Sequence, residues 1–189
     1  IIVEQLKKTE AQIEWRQPTV EEFIKQARKA EGAAGTDAWL GEEIAVLPKE
    51  ALERAYRMCR LWEEQRETPE VMGEIRQVNL SKPGKEKEGK LGAENTRPIA
   101  VLSAWWRTWG AAWVRTKSVA EWRKAFVPKE VVGGSGSKGA EEVATDACES
   151  FIRQGYVGTL DYSLCYDFMD PRVSLIVLHQ MGWPRGLIG

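Results

Sequence analysis

Cysteine and histidine are scarce in this chain, which argues against several kinds of site. The 189 residues contain three cysteines (Cys59, Cys148 and Cys165) and one histidine, His179. Three scattered cysteines form neither a disulfide framework nor the paired spacing of a zinc site. All three fall on apolar faces of the predicted elements, so we expect buried free thiols in a reducing compartment. His179 has no second histidine and no nucleophile pattern beside it, so we assign it no function.

Long apolar runs are also missing. No stretch is apolar for long enough to span a membrane, and no signal-peptide pattern is present. We therefore expect an intracellular protein with no membrane partner. The basic residues are too dispersed to indicate either the nucleus or the cytoplasm. The sequence begins with Ile1 and stops at Gly189, soon after the helix-ending Gly182-Trp183-Pro184, and we expect it to be a fragment of a longer protein.

Charge is distributed unevenly, although the formal net charge is only −1. From Arg76 to Lys138 there are 13 Lys or Arg and 5 Asp or Glu, a local balance of +8. The rest of the chain carries 14 Lys or Arg and 23 Asp or Glu. Binding to phosphates depends on the local field and on the counterions released. The basic segment therefore favours a nucleic-acid partner over an ordinary charged surface.

The apolar periodicity predicts a helix-rich α+β fold. Thr19-Val20-Glu21-Glu22 matches a capping box and opens a helix. Further helices are predicted for Ile1 to Trp15, between Pro48 and Pro69, and from Ser103 onward. Another runs from Ala140 and ends at Gly155, and the last runs from Asp170-Pro171 to about Met181. Within the helical region after Ser103, three tryptophans four residues apart have the spacing of a core stripe: Trp105, Trp109 and Trp113. Trp106 falls off that stripe.

Two short segments are predicted to pair as a hairpin. Ile75 to Leu80 and Ile99 to Leu102 are the strands, and the charged, glycine-rich stretch from Pro83 to Thr96 is the tip. Lys82 and Arg97 flank this tip, so pairing of the strands would bring them together across 14 intervening residues. Lys and Arg can neutralise a triphosphate as a point charge and a bidentate fork. Lys85 is an alternative to Lys82, and two solvated charges without function are a further interpretation.

A short acidic run follows another predicted strand, Tyr156 to Leu160. Asp161 stands where this buried strand ends, a position that costs desolvation unless a cation or hydrogen bonds compensate the charge. An aspartate that caps a turn would satisfy the same pattern. A carboxylate there could instead hold Mg²⁺, which takes oxygen ligands. The six-residue step to Asp167, with Tyr166 just before it, favours the metal site.

Together these segments resemble the reverse transcriptase family, in the form carried by non-LTR retrotransposons. Asp161-x-x-x-x-Tyr166-Asp167 resembles the first catalytic motif of the palm. Val78-x-Leu80-x-Lys82-Pro83-x-Lys85 and Arg97-Pro98-Ile99 resemble the fingers motifs. Gly35-Thr36-Asp37-Ala38 is similar to the Gly-x-Asp-Gly turn upstream of the fingers, with alanine in place of the last glycine. The resemblance covers about residues 32 to 185, and the related group II intron type ranks lower.

The resemblance implies an enzyme as the parent protein, an RNA-directed DNA polymerase. Such an enzyme adds deoxynucleoside triphosphates to a DNA primer on an RNA template, with two Mg²⁺ ions. The implied site residues are Asp161 as catalytic metal ligand, Tyr162 as metal ligand through its main-chain carbonyl, Tyr166 under the incoming sugar, and Lys82 and Arg97 as nucleotide-binding cations. One carboxylate cannot hold two ions, and the chain has no adjacent Asp-Asp pair. We therefore expect these residues alone to be inactive.

The same resemblance implies a domain organisation. Residues 1–74 would be a helical N-terminal extension, residues 75–154 the fingers region with its charged tip at 83–96, and residues 155–189 the start of the palm, with its first strand and helix. Two alternatives stay open. The chain could be a non-catalytic nucleic-acid-binding module, or a decayed reverse transcriptase relic or structural helical protein.

Overall fold

A computed structural model describes residues 13–82, 95–127, 140–155 and 170–183 of the chain. It confirms the α+β class, since helices dominate these residues and two antiparallel strands form a hairpin. The chain divides into two compact units. One is Arg16–Thr116, and the other combines Ile1–Trp15 with Lys117–Gly189. The domain boundaries at 74/75 and 154/155 stay predictions.

Ten elements are found in the described residues. The first unit contains α1 Val20–Ala27, α2 Gly41–Val46, α3 Lys49–Gln65, α4 Glu70–Gly73, β1 Arg76–Ser81, β2 Thr96–Val101 and α5 Ala104–Val114. The second contains α6 Lys117–Phe126, α7 Ala140–Gln154 and α8 Pro171–Gln180. The helices predicted after Thr19, Pro48, Ser103 and Asp170 are confirmed, as are both strands of the hairpin. The short helices α2 and α4 are additions that the periodicity did not indicate.

Helix α1 is the centre of the first unit, where it packs against α3 and α5. The predicted capping box is present: Thr19 N–H donates to Glu22 Oε2 at 2.8 Å, and Glu22 N–H donates to Thr19 Oγ1 at 3.2 Å. The apolar side of the helix places Phe23 in the core beside Leu52 of α3 and Trp109 of α5. Full burial of such side chains stabilises a fold by about 1.5–3 kcal/mol each.

The tryptophan stripe of α5 belongs to this core, as its spacing predicted. Trp105 and Trp109 are buried, and Trp113 packs against them from a half-buried position. Trp106 is 38% exposed, which confirms that it lies off the stripe. Two of these indoles share one acceptor: Trp109 Nε1 and Trp113 Nε1 donate to Glu63 Oε2 of α3 at 3.0 and 2.9 Å. This pairing satisfies two indole N–H groups that burial would otherwise leave without water.

The second unit is organised around aromatic contacts. Trp122 of α6 is buried, its Nε1 donates to the carbonyl of Met181 at 2.6 Å, and its ring meets Trp183 edge to face at 4.8 Å. Trp15 lies 5.1 Å from the same Trp183 ring. At the start of α8 the predicted cap is present, because the Asp170 carboxylate accepts the N–H of Arg172 at 2.9 Å.

The structure changes two of the sequence predictions, one about the cysteines and one about the first helix. Cys59 is buried as predicted, but Cys148 on α7 is exposed, so the prediction of buried thiols is wrong for this residue. The reason is that the face beside it lacks cover from the described residues: Phe151 and Ile152 are 56% and 81% exposed. Of the predicted helix Ile1 to Trp15, residues 13–15 are irregular, and the remainder lies outside the described residues. Cys165 lies outside them too.

Candidate functional site

The candidate site is built on the hairpin of the first unit. Its strands pair antiparallel, with Leu80 opposite Arg97 and Ser81 opposite Thr96. One further bond continues the ladder toward the tip, since Lys82 N–H donates to the Asn95 carbonyl at 2.8 Å. The predicted pairing of the two strands is therefore confirmed. The tip itself, including Lys85, falls in residues 83–94, outside the described residues.

The register decides which side chains share a face of the hairpin. Directly opposite residues in an antiparallel pair point to the same side, and residues two apart on one strand do so as well. Arg97 therefore shares a face with Leu80, and Lys82 shares it too. Lys82 and Arg97 are diagonal neighbours on this face, a relation in which α-carbons lie about 7–8 Å apart. The hairpin thus places the two predicted cations together.

The two faces of the hairpin differ in character. One carries Lys82, Arg97 and Arg76 beside apolar side chains, namely Val78, Leu80, Ile99 and Val101. The other carries small and polar residues, namely Gln77, Asn79, Ser81, Thr96, Pro98 and Ala100. On the first face Leu80 is 48% and Ile99 41% exposed, Arg97 is exposed and Lys82 half-buried. An accessible ammonium and guanidinium side by side can bind a polyanion, one as a point charge and the other as a planar fork.

The base of the hairpin is fixed by the turn that precedes α2. Thr36 Oγ1 donates to the carbonyl of Val71 at 2.5 Å, and the carbonyl of Glu74 lies 3.3 Å away. In the other direction, Arg76 at the start of β1 donates from Nη1 to the carbonyl of Ala34 at 3.2 Å. Polar contacts thus join the turn to the chain on the N-terminal side of the hairpin.

The same turn also contacts the chain on the C-terminal side of the hairpin. The Ser103 hydroxyl donates to Asp37 Oδ2 at 2.7 Å and accepts the N–H of Trp106 at 3.3 Å, which makes Ser103 the N-cap of α5. A Cβ at Gly35 would lie 2.6 Å from the Leu102 carbonyl oxygen, so only glycine fits there. Both ends of the hairpin are therefore anchored to one turn.

Backbone geometry explains why the Gly-x-Asp-Gly pattern usually ends in glycine. Ala38 has φ 59°, in the left-handed region that side chains disfavour. The preceding turn is closed by the Ala38 N–H, which donates to the Gly35 carbonyl at 3.3 Å. Alanine is therefore strained where the Gly-x-Asp-Gly pattern has glycine. The sequence alone could have indicated this strain, since the motif itself shows the departure.

No distance from the predicted metal site to the hairpin follows from the described residues. Asp161, Tyr162 and Tyr166 lie outside the described residues. A carboxylate and a main-chain carbonyl are oxygen donors of the kind that Mg²⁺ takes, but they are only part of a two-ion ligand set. Within residues 13–82, 95–127, 140–155 and 170–183, no cluster of three or more His, Cys, Asp or Glu could hold a metal ion.

Three sets of structural contacts in the first unit were not indicated by the sequence pattern. They are Ser103 with Asp37, Glu63 with two indoles, and Arg107 of α5, which donates to the carbonyls of Glu31 and Ala33. Each joins residues at least 46 positions apart. Only the cap at Ser103 had a local signal, its position directly before a helix.

Comparison with known proteins gives no assignment. The chain matches no protein-family model, and a search of curated proteins returns no significant match. Among the described residues, no helix combines the length and the apolarity needed to cross a membrane.

Proposed function

We propose that this chain is the fingers region and the first palm motif of a retroelement reverse transcriptase. The parent enzyme would be an RNA-directed DNA polymerase that extends a DNA primer on an RNA template. One observation carries the proposal: Lys82 and Arg97, the two cations that the resemblance assigns to nucleotide binding, share one accessible face of a paired hairpin.

The roles of the hairpin cations follow from their chemistry. Lys82 would neutralise phosphate charge as a compact ammonium, and Arg97 would hold two phosphate oxygens in a bidentate contact. The anchored turn at Thr36 and Asp37 supports this role, because a positioned donor stabilises developing charge better than a mobile one. The exposed side chains of Leu80 and Ile99 would offer an apolar surface to the nucleotide.

The acidic motif would complete the reaction in the parent enzyme. Asp161 and the Tyr162 carbonyl would hold Mg²⁺, and Tyr166 would lie under the sugar of the incoming nucleotide. When bound, the ions supply activation of the primer hydroxyl and stabilisation of the leaving pyrophosphate. Because this chain has no adjacent Asp-Asp pair, we propose that it binds substrates but does not extend a primer.

Binding of a deoxynucleoside triphosphate tests the role of the hairpin. Titration of the chain with Mg-dATP should give saturable binding, and Lys82→Gln and Arg97→Gln should each weaken it about tenfold, since a charge-assisted hydrogen bond contributes about 1.5–3 kcal/mol. Lys25→Gln and Arg54→Gln are matched controls, because they remove the same charges from exposed positions of α1 and α3. Equal losses in both pairs, or no binding, would contradict the proposal.

Primer extension tests the missing carboxylates separately. On a primed RNA template with Mg²⁺, the chain should add no nucleotide above background. Extension that Asp161→Asn abolishes would show that the ligand set in this chain is sufficient.

A second candidate is a nucleic-acid-binding module without enzymatic activity. It is favoured by the local charge of +8 between Arg76 and Lys138 combined with the lack of an Asp-Asp pair. In that case RNA binding would be strongly salt-dependent and would weaken with Lys82→Gln, while Mg-dATP would not bind.

A further inference from the structure

A cleft of about 210 Å³ opens in the first unit beside α1 and α5. It is lined by Gln26, Lys29, Ala30, Glu31, Gly41, Ala104, Arg107, Thr108, Ala111 and Arg115. Three of these residues are cationic and one is acidic. The cleft does not include the hairpin cations, so its chemistry is independent of the function proposed above.

The inner wall of the cleft carries the amide side chain of Gln26, a residue that is largely buried. Gln26 is 9% exposed, and its side chain makes no hydrogen bond to any residue that the structure describes. The Gln26 amide atoms are not among the fully buried, unpartnered side-chain atoms of the described residues, so they reach solvent through the cleft. Gln26 is therefore placed to donate a hydrogen bond to a molecule that enters the cleft.

The cations of the cleft retain donors for such a molecule. Lys29 and Arg115 are exposed, and neither forms an ion pair with the described residues. Arg107 is held in place by its bonds to the Glu31 and Ala33 carbonyls, at 3.3 and 2.6 Å, while its buried Nε–H has no acceptor in the described part of the chain.

The acids near the cleft offset part of this charge. Glu42 accepts the Gly32 N–H at 3.2 Å. Hydrogen bonds from its own N–H and from that of Gly32 lower the pKa of Glu42, and the charge of Arg107 lowers it further. Glu31 lines the cleft through an exposed side chain and makes no ion pair in the described residues. Three lining cations against the carboxylates of Glu31 and Glu42 still leave a small positive balance at the cleft.

We propose that this cleft is a phosphate-binding site, in which Gln26, Lys29 and Arg115 contact the ligand and Arg107 fixes the wall behind it. A small, open cleft with three cations and an accessible amide donor on its wall fits a tetrahedral oxyanion that accepts several hydrogen bonds. Two sources offer this group: a phosphodiester of a single-stranded RNA backbone, and free phosphate.

Two probes distinguish the sources. Calorimetric titration with inorganic phosphate measures the free anion, and fluorescence anisotropy of a labelled single-stranded oligouridylate measures the backbone. The double variant Lys29→Gln/Arg115→Gln should weaken binding of the probe that the site recognises about tenfold or more. If the source is RNA, the dependence of log K on log salt should also become shallower by about 1.4, the change expected for two lost contacts.

Matched variants separate the cleft from general surface charge. The control Lys25→Gln/Arg54→Gln removes equal charge outside the cleft and should change binding less than about twofold. Gln26→Met keeps the size and the net charge but removes the donor, and it should weaken binding about fivefold. The side chains of Lys29 and Arg115 are exposed and form no ion pair with the described residues. The circular dichroism spectrum of the double variant should therefore match that of the parent.

Loss of RNA binding alone assigns the site to a nucleic-acid backbone, and loss of phosphate binding alone assigns it to the free anion. Equal losses in the cleft and control doubles would overturn the proposal, as would full binding by Gln26→Met or no binding of either probe by the parent chain.

Discussion

The hydroxyl of Ser103 donates a hydrogen bond to the carboxylate of Asp37 at 2.7 Å, across 66 residues of sequence. The same Asp37 oxygen lies 3.4 Å from the Trp105 N–H. Both donors belong to the N-terminal turn of α5, where unpaired N–H groups favour a negative charge. A turn distant in sequence therefore helps to cap this helix.

This relationship predicts energetic coupling between the two residues. Asp37→Ala and Ser103→Ala should each destabilise the protein by about 1–2 kcal/mol, since each removes a cap or one partner of a part-buried hydrogen bond. The double variant should lose less than the sum, with a coupling energy of about 1 kcal/mol. Urea denaturation followed by tryptophan fluorescence measures all four free energies of unfolding. Strict additivity would show that the bond contributes nothing.

The strained alanine predicts a stabilising substitution. Ala38→Gly should raise the free energy of unfolding by about 1 kcal/mol, because glycine tolerates φ 59° without the clash that Cβ causes. Ala111→Gly, in the interior of α5, is the matched control and should lower it by about 0.5–1 kcal/mol. Thermal denaturation of both variants gives the comparison, and a loss of stability in both would argue against strain at Ala38.

The capping box of α1 predicts a pH dependence. Burial raises the pKa of Glu22, but hydrogen bonds from the Thr19 N–H and from Arg16 outweigh it, so the pKa lies below its ordinary value of 4.5. A lowered folded-state pKa stabilises the fold above the unfolded-state value, and this contribution is lost as pH falls through the folded-state pKa. Glu22→Gln should therefore destabilise the protein at pH 7 by roughly 0.5 kcal/mol.

The measurement is the difference in free energy of unfolding between parent and Glu22→Gln across pH 2.5 to 7. This difference should be constant above about pH 5 and shrink below pH 4.5, where the parent carboxylate takes up its proton. A difference that does not change over this range would contradict a charge-dependent cap.

The two described cysteines should differ in reactivity. Burial raises the pKa of the Cys59 thiol to about 12, so almost none of it is thiolate at pH 8. Cys148 is exposed on α7. Brief alkylation with iodoacetamide at pH 8, followed by peptide mass spectrometry, should label Cys148 and leave Cys59 unmodified until the protein is denatured. Comparable labelling of both would contradict the buried environment of Cys59.

Local patterns predicted most of the described elements. The capping box at Thr19, the cap at Asp170 and the tryptophan spacing in α5 each involve residues within a few positions, so their geometry follows from helix periodicity and backbone donors. The hairpin was predictable for a related reason, because two short strands around a polar tip pair in few ways. That pairing also brought Lys82 and Arg97 to one face.

The cysteine prediction shows where such patterns fail. The spacing of Cys148, Phe151 and Ile152 identifies an apolar face, but burial requires a second element to cover it. No described residue does so for Phe151 and Ile152. Periodicity therefore defines a face of a helix without defining what lies against it.

The sequence by itself determined most of the helices, the hairpin and the core stripe, since these depend on short-range spacing. It also supplied the resemblance that motivates the proposed function. Only the tertiary structure decided that Asp37 caps a helix 66 residues away, that Glu63 accepts from two indoles, and that Gln26 faces an electropositive cleft. Such contacts depend on the packing of α1, α3 and α5 against one another, and the spacing of residues along any one helix carries no information about it.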